Sequence, residues 1–188
     1  MATFEEMIGR NHEQVSYFYD EDTGLRCIIS VHNTILGPGL GGCRIWNYNN
    51  EQEALIDVLR LSRGMTYKAA IAGLNLGGAK AVILGDKNTV KNEAYFRSFG
   101  KFVEAMGGRY ITAEDVGTSV RDMEWDRSET DYVVGISRSL GGSGDPSVVT
   151  AYGVYIGIKA CAKEKFNGPI GVNQSTVIPV DDLILFES

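Results

Sequence analysis

The stretch Glu51–Leu84, EQEALIDVLRLSRGMTYKAAIAGLNLGGAKAVIL, decides the fold because its hydrophobic period changes along its length. From Glu51 to Met65, apolar residues recur at helical spacing, and Asn50 in front of them is a good N-cap, so we predict an amphipathic helix. Ala81–Leu84 is a short unbroken apolar run, which is typical of a buried strand. A helix that leads into a buried strand indicates an α/β layer fold.

The segment before this stretch has the pattern of a hairpin. Gln14–Tyr19 and Leu25–Asn33 are rich in β-branched and aromatic residues and flank the turn-forming run Asp20–Gly24, so we predict two antiparallel strands. Thr3–Gly9 predicts a short opening helix. The glycine-rich run Ile35–Gly42 predicts a loop, which continues into an extended segment up to Trp46.

The segment after it continues the alternation of helices and strands. The predicted elements are a helix over Lys91–Met106 that Gly107 and Gly108 end, a strand over Arg109–Thr112, a helix over Ser119–Asp126, a short strand over Tyr132–Val134, and a long helix from Pro146 to about Lys165. Together these elements predict an α/β fold with a largely parallel sheet and an antiparallel hairpin at one edge.

The composition is that of a soluble globular protein, since 44% of the 188 residues are apolar and 22% are charged. The 18 basic and 24 acidic residues give a net charge of −6, which argues against nucleic acid or an anionic membrane as the main partner. Cys27, Cys43 and Cys161 lie far apart without zinc-ligand spacing, so we expect free thiols and no metal site. With no signal-peptide pattern and no membrane-spanning run, we expect a cytoplasmic protein.

Two glycine-rich motifs resemble nucleotide-binding loops only in part. Gly37–Gly42, GPGLGG, has the spacing of a dinucleotide fingerprint, but an extended segment follows it where the fingerprint needs a helix. Two interpretations remain open: a loop whose backbone approaches a small anion, and a purely structural turn. In Gly73–Lys80, Ala79 separates the glycine from the lysine and no Ser or Thr follows, so nucleotide triphosphate hydrolysis is not expected.

Three ionisable residues are candidates for proton chemistry. Lys68 and Lys80 both lie among small and apolar residues, where a buried amine has a lowered pKa and suits general-base work near neutral pH. The alternative is that their amines reach solvent. Asp115 follows the predicted strand at the end where open α/β sheets bind ligands, although Asp115 or Glu114 could instead cap the next helix.

Several of these motifs, in this order, resemble one family. The chain is similar to the glutamate, leucine, phenylalanine and valine dehydrogenases, and most similar to their leucine-specific members, over about residues 1–166. The motifs that carry the resemblance are Gly37–Gly42, Gly64–Lys68, Gly73–Lys80, Ile111–Gly117 and Pro146–Gly153. The resemblance implies a three-layer α/β sandwich and an NAD-dependent oxidative deamination of a branched-chain L-amino acid to a 2-oxo acid and ammonia.

The resemblance also implies roles for individual residues. Lys80 is the implied catalytic lysine, and Asp115 is the implied proton relay at the substrate nitrogen. The implied substrate-binding residues are Lys68 (for the carboxylate), the backbone of Gly41 and Gly42, and Leu40, Met65 and Ala113 along the cleft. An apolar Leu40 favours an aliphatic substrate side chain over a carboxylate, because no cation replaces it. Asp145 and Thr150 match a loop near the nicotinamide.

The resemblance ends before the part of the family that binds the cofactor. We expect a substrate domain over residues 1–166 and a tail over residues 167–188 that holds no dinucleotide fingerprint. We therefore expect the chain alone to be inactive, although family members use NAD. The alternative function is a non-catalytic binding or oligomerisation module with the same fold. By resemblance, the partners are a small L-amino acid and further copies of the chain.

Overall fold

A computed structural model describes residues 3–166, and its helices and strands alternate largely as the hydrophobic periods predict. The chain divides into two units, the first ending at Gly144 and the second beginning at Asp145. The tail predicted over residues 167–188 lies outside the described residues, so the domain boundary predicted after residue 166 stays a prediction.

Within its described residues, the first unit contains five helices and five strands. In chain order these are α1 (Thr3–Arg10), β1 (Gln14–Asp20), β2 (Leu25–Asn33), β3 (Gly39–Trp46), α2 (Glu51–Ile71), β4 (Gly77–Leu84), α3 (Lys87–Val90), α4 (Glu93–Ala105), β5 (Tyr110–Glu114) and α5 (Val120–Arg127), followed by a 3₁₀ turn at Arg138–Leu140. The predicted cap of α2 is confirmed, because the Asn50 side chain accepts a hydrogen bond from the Glu53 amide at 2.9 Å.

The five strands form one mixed sheet in the order β1-β2-β4-β3-β5. β3 pairs in parallel with both β4 and β5, whereas β2 pairs antiparallel with β1 and β4. Four strands therefore run in one direction, and the reversed strand lies second from the edge. The strand predicted over Tyr132–Val134 is reduced to a single bridge between Thr112 and Val133.

Helices cover both faces of the sheet, which confirms the predicted three-layer sandwich. Side chains alternate along β4, so Val82 packs with α2 residues such as Val58, while Ala81 and Ile83 pack in a second core with α4 residues such as Phe99. Because both faces of β4 are buried, this strand reads in the sequence as a continuous apolar run.

The glycine-rich run before Cys43 is not a loop. Gly39–Gly42 belongs to β3, so the prediction of a loop over Ile35–Gly42 is wrong for its second half. A Cβ at Gly41 would lie 1.6 Å from the Ala79 carbonyl oxygen, and one at Gly39 would lie 2.7 Å from the Ala79 Cβ. These glycines let β3 approach β4 closely, which gives them a structural role in the sheet.

α2 is longer than predicted and continues past Met65 to Ile71. Lys68 is therefore a helical residue. The helix packs tightly on β4, where a Cβ at Gly78 would lie 2.1 Å from the Thr66 amide nitrogen. The predicted end of α4 is confirmed, since Gly107 and Gly108 follow it with left-handed φ angles of 59° and 80°.

The second unit begins with one long helix, α6 (Ser147–Phe166), which confirms the predicted helix after Pro146. The Thr150 amide donates to the Pro146 carbonyl oxygen at 2.9 Å, so the proline stands at the start of the helical hydrogen-bond ladder. In the part of the chain that the structure describes, every helix is too short or too polar to cross a membrane.

Asp126 is a buried acid in α5 without a hydrogen-bond partner on either carboxyl oxygen. Burial, aided by Asp122 one turn earlier, raises its pKa well above the ordinary value. We expect Asp126→Leu to stabilise the protein by about 2 kcal/mol at pH 8, because the variant removes an unsatisfied polar group from the interior. This gain in stability should be smaller at pH 5. Native Asp126 keeps a proton that the unfolded state releases, so the unsubstituted protein loses stability as pH rises, and the substitution removes that loss.

Urea unfolding at pH 5 and pH 8 measures this effect. Asp122→Leu is the matched control, because Asp122 pairs with Lys91 and accepts from Ser119 at 2.9 Å, so its loss should destabilise the fold. Lower stability than the native protein at pH 8 in both Asp126→Leu and Asp126→Ala would contradict the prediction.

His12 lies in a buried polar cluster between α2 and the sheet. Its Nε2 contacts the Leu59 carbonyl oxygen at 3.0 Å and the Ser62 hydroxyl at 3.1 Å, while its Nδ1 has no hydrogen-bond partner. Burial lowers the pKa of His12 to about 4, and the neighbouring His32 adds to that shift. His12 binds a proton at a higher pH in the unfolded state than in the native state. The free energy of unfolding should therefore fall by up to about 3 kcal/mol as pH drops from 6.5 toward 4.

The measurement is the free energy of unfolding at pH 7.5 and pH 4.5, in the native protein and in His12→Gln. The glutamine amide can still donate to Leu59 but does not titrate, so the variant should lose less stability on acidification. Equal losses in the two proteins would show that His12 is not the group responsible.

Candidate active site

Lys80 lies in the middle of β4 with its side chain on the sheet face that carries α2, and it is only 4% exposed. Burial lowers the pKa of its ammonium group below the ordinary value, although the nearby Asp115 carboxylate opposes that shift. The Nζ atom lies 3.0 Å from Asp115 Oδ1. Of the two interpretations of Lys80 left open by the sequence, the structure supports the buried amine.

Asp115 reaches Lys80 because of a glycine in the neighbouring strand. Leu40 pairs with Gly78 and Cys43 with Ala81, which sets Gly42 beside Lys80. A Cβ at Gly42 would lie 2.7 Å from the Asp115 Cβ, so only glycine leaves room for the carboxylate there.

The turn after β5 holds Asp115 in this position. Its amide donates to the Thr118 hydroxyl at 2.8 Å, and Ser119, not Asp115 or Glu114, stands at the N-cap position of α5. The helix-capping alternative for these two acids is therefore wrong.

Arg44 is a third member of the site, which the sequence interpretation missed. Its Nε donates to Asp115 Oδ2 at 2.9 Å, and its Nη1 donates to Asp57 Oδ2 at 3.2 Å. The Tyr48 hydroxyl donates to the same Asp57 oxygen at 2.7 Å. A signal was available, because strand alternation puts Arg44 on the same face as Gly42, and a cation within a buried strand needs a partner.

The charges of this site alternate along a line of contacts. Burial alone would raise the pKa of Asp115, but Lys80 and Arg44 outweigh it, so the carboxyl titrates below its ordinary range and stays ionised near neutral pH. Lys80, with its lowered pKa, is the member better suited to release and regain a proton under those conditions.

An uncovered part of the sheet adjoins this pair of charges. α2 packs over β4 and β2 but touches β3 only slightly, so no helix of the first unit closes that face above β3 and β5 within the described residues. Leu40 and Ala113 lie there half-buried, and Ala113 pairs with Gly42. Backbone of Gly41 and Gly42 forms the floor between them. The structure thus brings together five predicted site residues, namely Lys80, Asp115, Leu40, Gly42 and Ala113.

Lys68 and Met65 lie at the rim of this face. Helical spacing puts both near the side of α2 that carries Asp57, which contacts Arg44 on β3. Lys68 is exposed, so its amine reaches solvent, and the ion pairs of Lys80 and Asp115 join Arg44 rather than Lys68. Of the two interpretations left open for Lys68, the structure supports the amine that reaches solvent, and the second cation near Lys80 is Arg44.

Asp145 and Thr150 belong to the second unit. An Asp145 carboxylate oxygen accepts from the Ser147 amide at 2.7 Å, and the Thr150 hydroxyl donates to the Pro146 carbonyl oxygen at 3.0 Å. Both contacts serve the first turn of α6. A role for these residues near a nicotinamide stays a prediction.

The described residues do not fit a dinucleotide. The one G-x-G-x-x-G run, Gly37–Gly42, ends inside β3, where its glycines face neighbouring backbone instead of opening a helix toward a pyrophosphate. In the same part of the chain, no cluster of His, Cys, Asp and Glu has the composition of a metal site.

Comparison with known families agrees with this geometry. The family model described as Glu/Leu/Phe/Val dehydrogenase, dimerisation domain, matches residues 12–132. The chain belongs to this family. The resemblance drawn from the sequence motifs is thereby confirmed.

Two groups of relatives illustrate the match. The chain is 60% identical to a leucine dehydrogenase of Geobacillus stearothermophilus over 88% of its own length and 45% of the relative's, and 57% identical to that of Bacillus subtilis over 88% and 46%. Its fold matches the crystal structure of L-tryptophan dehydrogenase from Nostoc punctiforme with a TM-score of 0.71 at 39% identity, over 89% of this chain and 47% of that one. The chain spans about half the length of the relatives it matches.

Proposed function

We propose that the first unit is the substrate-binding and proton-transferring part of an NAD-dependent dehydrogenase for branched-chain L-amino acids. The observation that carries this proposal is the ion pair of buried Lys80 with half-buried Asp115 beside an uncovered apolar sheet face. The family membership and the leucine dehydrogenase relatives support the reaction class. NAD itself would have to be held by residues outside 3–166, and we propose a cytoplasmic location for the enzyme.

The reaction of this class oxidises an amino acid in the presence of water to a 2-oxo acid and ammonium, and the NAD bound outside the described residues would take up the hydride that is lost. Lys80, when its amine is neutral, takes a proton from the attacking water and returns it to the leaving nitrogen. Asp115 exchanges a proton with the substrate nitrogen through Oδ1, the oxygen that contacts Lys80. Lys68, exposed at the rim, pairs with the substrate carboxylate, and amides of Gly41 and Gly42 bind it from the floor.

The substrate side chain lies against Leu40, Met65 and Ala113. These residues offer methyl and methylene groups, so a leucine or valine side chain is desolvated there without loss. A glutamate side chain would bury its carboxylate without a cation. The proposed specificity is therefore for aliphatic amino acids.

A second function is favoured by two findings. The matching family model is described as a dimerisation domain, and the described residues do not fit a dinucleotide, so the unit could serve as a module for binding and assembly only. We also propose that the chain forms homo-oligomers. Light scattering over a concentration series tests this, since a constant mass near 20.5 kDa would contradict it.

A chimera separates the catalytic function from the binding module. The chain is joined after Phe166 to the remaining part of the Geobacillus stearothermophilus leucine dehydrogenase, and leucine-dependent NAD reduction is measured. We expect turnover, and a decrease in kcat of about 10³-fold in Lys80→Ala. Lys101→Ala, which changes an exposed lysine on α4, should retain turnover.

The chain by itself provides a second test. We expect 4-methyl-2-oxopentanoate to shift the NMR resonances of Lys80 and Lys68, without NADH formation from leucine and NAD. A folded chimera that is inactive with leucine, valine and isoleucine would overturn the catalytic proposal and leave the binding module.

A further inference from the structure

The geometry points to Arg44 as a positioning residue that anchors one oxygen of Asp115 and thereby reserves the other for the substrate nitrogen. The inference rests on the proposed function and deepens it, because it explains how a flexible carboxylate is aimed at the uncovered sheet face.

The two oxygens of Asp115 have different partners. Oδ2 accepts from Arg44 Nε at 2.9 Å, and Oδ1 lies 3.0 Å from Lys80 Nζ. Arg44 stays protonated at all working pH values, so its contact with Oδ2 persists, whereas Lys80 has a lowered pKa and loses its charge more readily. Oδ2 is therefore the permanently held oxygen, and Oδ1 is the one that becomes free to exchange a proton.

Arg44 is itself held from the side away from Asp115. Its Nη1 lies 3.2 Å from Asp57 Oδ2 on α2, and the Tyr48 hydroxyl donates to that same oxygen at 2.7 Å. The side chain of Arg44 is 14% exposed, so these contacts are largely shielded from water. Two edges of the planar guanidinium donate hydrogen bonds at the same time. Arg44, which belongs to β3, thereby links α2 to the turn after β5.

The two oxygens of the Asp115 carboxylate therefore have different roles, since Oδ2 is anchored and Oδ1 exchanges the proton. When the substrate nitrogen loses a proton to Oδ1, an N–H bond breaks, an O–H bond forms, and the positive charge leaves the nitrogen. Arg44 keeps the carboxyl plane fixed through that step. Lysine in its place would keep the charge but lose the second edge, so Asp57 and Asp115 would compete for one ammonium group.

The first test uses the 188-residue chain and does not depend on turnover. The carboxyl ¹³C resonance of Asp115 is titrated by NMR in the native chain, in Arg44→Met and in Arg44→Lys. We expect the Asp115 pKa to rise by about one unit or more in Arg44→Met, and by less in Arg44→Lys. Arg97→Met, which removes an arginine that pairs with Glu129, is the matched control and should leave the Asp115 titration unchanged.

The second test covers the case in which Arg44→Met fails to fold. Hydrogen exchange of the Arg44 Nε–H is measured in the native chain, in Asp57→Asn and in Tyr48→Phe. We expect exchange to be at least about tenfold faster in Asp57→Asn, because the anchor of Arg44 is lost. An unchanged Asp115 titration in folded Arg44→Met, or unchanged exchange in Asp57→Asn, would overturn the inference.

The third test uses the active chimera. Arg44→Lys should lower kcat about tenfold or more while the KM for leucine changes less than about threefold, because Arg44 contacts Asp115 and not the substrate. A rise in the KM for leucine of about tenfold with an unchanged kcat would contradict the positioning role. If the unsubstituted chimera is inactive, the proposed function fails, and the two tests on the chain still decide the role of Arg44.

Discussion

Gly41→Ala should abolish the folded state of this protein. A Cβ at Gly41 would lie 1.6 Å from the Ala79 carbonyl oxygen and 2.6 Å from its carbonyl carbon, both of which are backbone atoms of β4. Neither atom can move without separating β3 from β4 at the centre of the sheet. We expect a loss of about 4 kcal/mol or more, which is comparable to the whole stability of many single domains.

Gly64→Ala is the matched control for this prediction. Gly64 lies within α2 with nothing within 4 Å of the added Cβ, so the same substitution should be neutral or stabilising by up to about 1 kcal/mol. The soluble yield, the circular dichroism spectrum and the urea midpoint of the two variants provide the comparison. A Gly41→Ala variant with stability within 1 kcal/mol of the native protein would show that β3 and β4 separate at little cost.

Asp115→Asn should be the most destabilising charge substitution of the site. It removes the carboxylate between two cations whose side chains are 6% (Lys80) and 14% (Arg44) exposed. We expect a loss of about 3 kcal/mol at pH 7, because a buried cation left without its partner costs far more than the ion pair contributes.

The loss in Asp115→Asn should depend on pH and on Lys80. Without the carboxylate, burial lowers the pKa of Lys80 further, so the unfolded state binds more protons and the stability of the variant rises from pH 7 to pH 9. Adding Lys80→Met should recover part of the loss at pH 7. Denaturant unfolding of the two single variants and the double variant measures both effects, and strictly additive losses would show that the two charges are not coupled.

Local patterns in the sequence were sufficient to predict most elements of the fold. The apolar period of Glu51–Met65, the cap at Asn50 and the glycines after α4 each act over a few residues, so they are visible without the partners. The beginning of β3 was not predictable in this way. Gly39–Gly42 reads as a loop, because the reason for the glycines, the backbone of β4, lies elsewhere in the chain.

The sequence predicts those site residues that can be recognised individually. It does not predict those that can be recognised only from their contact with a distant residue. Lys80 stands out as a charge among small and apolar residues, and Asp115 as a charge just past a predicted strand, at the end where open sheets bind ligands. Lys68 and Lys80 have similar neighbours in the sequence, yet only Lys80 is buried, because it lies on a strand that α2 covers. Arg44 is identified as a site residue by its contact with Asp115, which is 71 residues away, so no local pattern in the sequence shows the contact.

The place of β3 in the sheet fixes when the site can form during synthesis. β3 lies between β4 and β5, and both neighbours follow it in the chain, so β3 has no partner strand until β4 has been synthesised, whereas β1 and β2 are adjacent in the sequence. A nascent chain that ends before Glu114 can pack α2 against β4 and enclose Lys80, but it leaves an open strand edge and has no carboxylate to offer that ammonium. Neutralising Lys80 is thus a late event, completed only when the last strand of the sheet has been made.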